Sequence, residues 1–105
     1  MLLPVTQTDM LENAIKSRGP VFALFTARWC GNCSAFKPVV RRWFSNHGEV
    51  TALEIDVDRF EDVASKHRIQ SMPTIMAFIG GERVARHSGA MTDTAFAKWA
   101  EKWFV

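Results

Sequence analysis

Cys30 and Cys33 are the only two cysteines in a chain of 105 residues, and they stand three positions apart. They lie in Arg28-Trp29-Cys30-Gly31-Asn32-Cys33-Ser34, directly after an apolar run from Val21 to Thr26. Beyond them Ala35, Phe36, Val39, Val40, Trp43 and Phe44 recur at the spacing of one helix face. The run reads as a buried strand and the stretch as a helix, so the first cysteine falls at a helix start. Backbone N–H groups point outward there, and together with the macrodipole they favour a thiolate over a thiol. A thiolate attacks a disulfide sulfur and forms a mixed disulfide. The second cysteine, one turn on, can attack that intermediate and release the partner. The pattern predicts dithiol–disulfide exchange, with Cys30 as an exposed nucleophile and Cys33 as the resolving cysteine. A buried structural pair is the plainer alternative.

Two thiolates are also half of a tetrahedral zinc site. Closing one needs two more ligands, and His47, His67 and His87 are scattered without ligand spacing. No metal or cofactor is therefore expected within one chain, whereas a metal or cluster shared between two chains stays open. The three histidines are expected at the surface or at helix ends, away from the cysteines. A net charge of +2 without a basic run gives no reason to expect a nucleic-acid partner. Met1-Leu2-Leu3-Pro4-Val5 lacks the basic flank and apolar span of a signal peptide, and no segment reaches transmembrane length, so no membrane is expected. Cysteines confined to redox spacing fit a reducing compartment, and the expected location is cytoplasmic.

The elements that must position this pair follow from pattern. Eight Phe and four Trp within 48% hydrophobic residues supply one core, so residues 1–105 are expected to form one domain and act as a monomer. Leu2 to Val5 reads as a short edge strand that tolerates Pro4. Thr8 or Asp9 caps a helix with Met10, Leu11, Ala14 and Ile15 on its apolar face, stopped by Gly19-Pro20. Val21 to Thr26 suits a central strand buried on both faces. The helix after the cysteines runs to about Asn46, with Pro38 kinking it. Val50 to Val57 is the next strand, and Asp58 caps a short helix carrying Phe60, Val63 and Ala64. Thr74 to Ile79 and Glu82 to His87 form a hairpin about Gly80-Gly81. Thr92 or Asp93 opens a last helix that buries Phe96, Trp99, Ala100 and Trp103. The order β-α-β-α-β-α-β-β-α predicts an α/β fold, a mixed central sheet with helices on both faces.

Trp29-Cys30-Gly31-Asn32-Cys33 between strand and helix resembles the active site of the thioredoxin family. Lys37-Pro38, Leu53 to Asp58, Asp62 to Ser65, Ser71-Met72-Pro73-Thr74, Gly80-Gly81-Glu82 and Ser88-Gly89-Ala90 fall in the same order and spacing as in that family. The resemblance implies the thioredoxin fold and reduction of protein disulfides, with a reductase-like protein or small dithiol as electron donor. It further implies a cis bond at Met72-Pro73, which turns the Met72 backbone toward the cysteines. An extended substrate could pair there as an added strand, in a groove completed by Trp29, Gly89 and Ala90. Gly31 is read as allowing a tight turn, and Arg28 as a solvated charge near the site.

Two positions depart from the family. Asn32 stands where reducing members usually carry proline, which restores a backbone donor at the helix start. Leu24 stands where the family has a buried aspartate behind Cys33, and Ala52 where a lysine often accompanies it. The resemblance therefore supplies no general base for Cys33. Two other readings remain: a module that docks one partner with little turnover, and a dimer holding an iron–sulfur cluster or metal between two C-x-x-C motifs.

Overall fold

Six consecutive buried residues, Val21–Thr26, form β2, the middle strand of a five-stranded sheet in this computed structural model, which describes residues 1–103. The elements in order are β1 (Leu2–Pro4), α1 (Met10–Lys16), β2, α2 (Gly31–Ser45), β3 (Thr51–Asp56), α3 (Glu61–Lys66), β4 (Thr74–Ile79), β5 (Glu82–Ser88) and α4 (Asp93–Glu101). The spatial order is β1-β3-β2-β4-β5. β3 runs parallel to β1 and β2, whereas β4 is antiparallel to β2 and β5. Both parallel connections cross over through a helix, as parallel pairing requires. This is the thioredoxin fold expected above.

Alternation along β2 divides the core into two layers. Val21, Ala23 and Phe25 join Leu53, Ile55, Met76 and Phe78 under Leu11 and Ile15 of α1 and Val63 of α3. Phe22 and Leu24 join Ala52, Ile75 and Ala77 under α2 and α4, which contribute Phe36, Val40, Phe44, Phe96 and Ala100. Edge-to-face rings fill this second layer: Phe22–Phe44 at 5.1 Å and Phe36–Phe96 at 5.5 Å between centroids. Thus α2 packs on the sheet beside α4, and its N-terminus carries the cysteines.

The hairpin turns at Gly80 and Gly81, whose φ angles of +64° and +86° suit the turn type that favours paired glycines. Thr92 caps α4, its hydroxyl accepting from Ala95 N at 3.2 Å. Three local expectations differ. Asp9 occupies the N-cap of α1 without a capping side-chain bond. Asp58 does not cap α3, which begins after Phe60. Asp56 turns the chain instead, its Oδ1 accepting from Asp58 N and Arg59 N at 2.9 and 3.4 Å. Ala35 is exposed, because a helix packed on one sheet face leaves the edge of its apolar stripe in solvent.

His47 and His67 do lie at helix ends, and His87 lies on β5. His67 is less superficial than its position suggests. Its ring sits near those of Phe25 and Phe78, with Nε2 3.0 Å from Glu12 Oε1. No helix among the described residues is long and apolar enough to cross a membrane.

Candidate active site

β2 ends at Thr26, and four residues later Cys30 takes the N-cap position of α2 in extended backbone. Its N–H donates to Ala27 O at 3.2 Å, and its Sγ accepts from Cys33 N at 3.1 Å. The sulfur therefore does what a capping oxygen usually does, satisfying an orphan donor of the first turn. The two cysteines form a disulfide with 5.3 Å between Cα atoms. Cys30 keeps 7% exposure and Cys33 only 1%, so the pair is less open than a strand-to-helix turn suggests. The outer position still belongs to Cys30. Ala27 completes this small cluster, with Val57 and Met72 packed against it.

The loop residues divide. Trp29 is 69% exposed and stands outside the cysteine cluster. Its Nε1 donates to Asp58 Oδ2 at 2.8 Å, which fixes the indole across the start of the β3–α3 connection. That is what Asp58 does in place of capping α3, and nothing local in the sequence signals the pairing. Gly31 and Asn32 open α2 and are exposed. A Cβ at Gly31 would meet nothing within 4 Å, so the turn itself does not demand glycine. Arg28 is solvated, with Nε 3.8 Å from Asp56 Oδ2 and its side chain nearly fully exposed.

Opposite the cysteines, the Met72-Pro73 bond is cis, as the resemblance implied. Pro73 O accepts from Gly89 N at 2.8 Å, so this loop and the Gly89-Ala90 loop are tied together. Gly89 has φ +105°, a conformation that disfavours any side chain. Thr74 Oγ1 donates to Ser71 O at 2.7 Å and braces the cis-proline loop from below. Met72 thus touches the cysteine cluster and Gly89 is tied to Pro73 beside it, whereas Trp29 lies outside the cluster.

Leu24 and Ala52 are 1% and 0% exposed, within the apolar layer under α2 and α4. Yet Leu24 pairs in register with Glu54 of β3, which places both side chains on the α2 face. Glu54 accepts from Thr26 Oγ1 at 3.2 Å, and its Oε2 lies 2.7 Å from Lys37 Nζ of α2. This acid is half-buried. Its only sequence signals were an acidic residue within an apolar strand and a lysine four positions beyond Cys33. Among the described residues no group of three or more His, Cys, Asp or Glu side chains is placed to hold a metal ion.

The thioredoxin family model matches residues 2–102. A thioredoxin from a Synechocystis strain is 35% identical over 100 residues, covering 94% of each chain. That of Sus scrofa is 37% identical over 92 residues, covering 86% of this chain and 88% of its own. Oxidised thioredoxin from Plasmodium falciparum superposes over the full length of both chains with a TM-score of 0.89 at 28% identity. Fasciola hepatica thioredoxin gives 0.87 at 28% identity, over 96% and 98% of the two chains. With a redox-active Cys30–Cys33 pair at the start of α2, a family model matching residues 2–102 and thioredoxin relatives at about 35% identity over most of both chains, this is a thiol–disulfide oxidoreductase, and the chain belongs to the thioredoxin family.

Proposed function

We propose that Cys30 attacks exposed disulfides of protein substrates and that Cys33 resolves the product. The observation that carries this division of labour is the cap geometry: Cys30 Sγ already accepts from Cys33 N, and Cys30 has the greater exposure. A thiolate there gains the same donor and the positive end of α2. It attacks one substrate sulfur, the substrate S–S bond breaks, and the departing thiolate takes a proton from solvent. Cys33, as thiolate, then attacks Cys30 Sγ. The internal disulfide forms, the bond to substrate breaks, and two electrons have passed to the substrate. A reductase-like protein or small dithiol returns them.

The substrate strand lies in the groove of Trp29, Met72, Pro73, Gly89 and Ala90, pairing with the Met72 backbone. The Gly89–Pro73 hydrogen bond supports this reading by holding the two loops as one surface. The protein works as a monomer in a reducing, cytoplasmic compartment, a reading supported by its having no cysteine beyond the redox pair. Cys30→Ser should abolish reduction of a protein disulfide, whereas Cys33→Ser should accumulate a covalent complex with substrate. Both are read on non-reducing gels and by intact mass. Trapping by Cys30→Ser but not by Cys33→Ser would reverse the roles.

A further inference from the structure

Resolution of the mixed disulfide needs Cys33 as a thiolate, and Cys33 is buried where an apolar environment disfavours charge. Leu24 on β2, where the resemblance would place an acid, cannot accept a proton. The neighbouring strand offers a group that can. Glu54 pairs with Leu24 and emerges on the same face of the sheet. Its carboxylate is held by the Thr26 hydroxyl at 3.2 Å and the Lys37 ammonium at 2.7 Å. Lys37 lies one helical turn from Cys33 on α2, and side chains four residues apart are neighbours, with about 5–6 Å between Cβ atoms.

A cleft of about 210 Å³ is lined by Thr26, Ala27, Lys37 and Glu54. Ala27 also packs in the cluster with Cys30 and Cys33. The other charged groups on the cleft are Arg28, Asp56 and Arg59, and the Glu54 side chain is only 14% exposed. A polar space of this size admits water that can bridge a thiol to a carboxylate.

We propose that Glu54, positioned by Thr26 and Lys37, accepts the Cys33 proton through water in this cleft. The proton passes from Cys33 Sγ to the Glu54 carboxylate, and the new thiolate attacks Cys30 Sγ. The Cys30–Cys33 bond forms as the Cys30–substrate bond breaks. The substrate thiolate leaves and is protonated from the cleft water, which returns Glu54 to its charged form. No outside oxidant or reductant enters this step.

The assignment rests on the exchange reading above, and trapping by Cys33→Ser tests that reading separately. Rapid mixing of the reduced chain with insulin, a protein disulfide, measures formation and decay of the mixed disulfide across pH. General-base help is worth roughly 10²- to 10⁴-fold where geometry is good. Glu54→Gln should slow decay at neutral pH by at least about tenfold. The remaining rate should climb with pH toward the ordinary thiol range near about 8.5. Formation by Cys30 should keep its rate. Lys37→Met retains the carboxylate but removes the ammonium that positions it, so decay at neutral pH should again slow while formation keeps its rate. It serves as the second arm should Glu54→Gln fold poorly. Decay in Glu54→Gln at the parent rate with the parent pH profile overturns the proposal. So does decay at the parent rate in Lys37→Met.

Discussion

At the scale of single residues, Asn32 is the position most open to a decisive exchange. It is the second residue of α2, exposed, and its backbone N–H is one of the first-turn donors that no helical carbonyl satisfies. Such donors stabilise a thiolate at the helix start, and stabilising the reduced form makes a dithiol pair more oxidising. Asn32→Pro deletes that donor and preorganises the turn. The reduction potential should therefore fall by of order tens of millivolts, where 30 mV corresponds to about 1.4 kcal/mol. Equilibration against glutathione at fixed pH measures it, and an unchanged or higher potential would show that the Asn32 N–H plays no part in the thiolate's field. Cys30, Cys33, Asn32 and Leu24 were all legible in the sequence, since each is defined by its distance from one motif. Glu54 was not. Its meaning depends on which residue of β2 it pairs with, and strand register is not written in either strand alone.

The elements behave likewise. β2 and β4 declared themselves through unbroken apolar runs, and the β4–β5 turn through paired glycines, because those signals are local. The start of α3 did not. Asp58 looked like a cap but spends its carboxylate on Trp29, and Asp56 makes the turn. The attachment of α3 to α1 was equally hidden, since Glu12 is far in sequence from Lys66 and His67. Its carboxylate lies 3.2 Å from Lys66 Nζ and 3.0 Å from His67 Nε2. Burial pushes the Glu12 carboxyl up, but hydrogen bonds and charges from Lys66 and His67 together hold it below its ordinary value. A lowered folded value means stability that is fully present above the unfolded value near about 4.3. That stability is lost as pH falls through the folded value. Glu12→Gln should cost about 1 kcal/mol at neutral pH, the scale of a partly exposed ion pair. The gap should close in acid as the parent carboxyl protonates. Urea melts at pH 7 and well below pH 4 compare the two, and a gap that persists in acid would mean the cost comes from packing.

For the whole molecule, the question is how far the redox state and the fold share free energy. The disulfide joins residues only three apart in sequence. Closing so short a loop in the unfolded chain corresponds to about 2 kcal/mol in favour of the oxidised protein. The clamp on α2 is larger. Phe96 of α4 is fully buried against Phe36, Trp43 and Phe44 of α2, with centroids at 5.5, 5.9 and 6.1 Å. Phe96→Ala should cost about 3–5 kcal/mol, a large share of the ~5–15 kcal/mol that holds a domain together. Phe36 lies one turn from Cys33, so a loosened clamp has a short route to the active site. Even so, Cys30 and Cys33 pack with Ala27, Val57 and Met72, and Phe96 belongs to a different cluster. Distant sites that share no partner add within about 0.5 kcal/mol. The oxidised-minus-reduced difference should therefore stay near about 2 kcal/mol in Phe96→Ala, although both forms unfold at much lower urea. Melts of parent and variant, each with and without excess reductant, give all four values of the cycle. A difference that collapses in the variant would show that α4 holds the redox helix in its capping geometry, and that the potential of the pair is set in part by the helix packed beside α2 on the same sheet face.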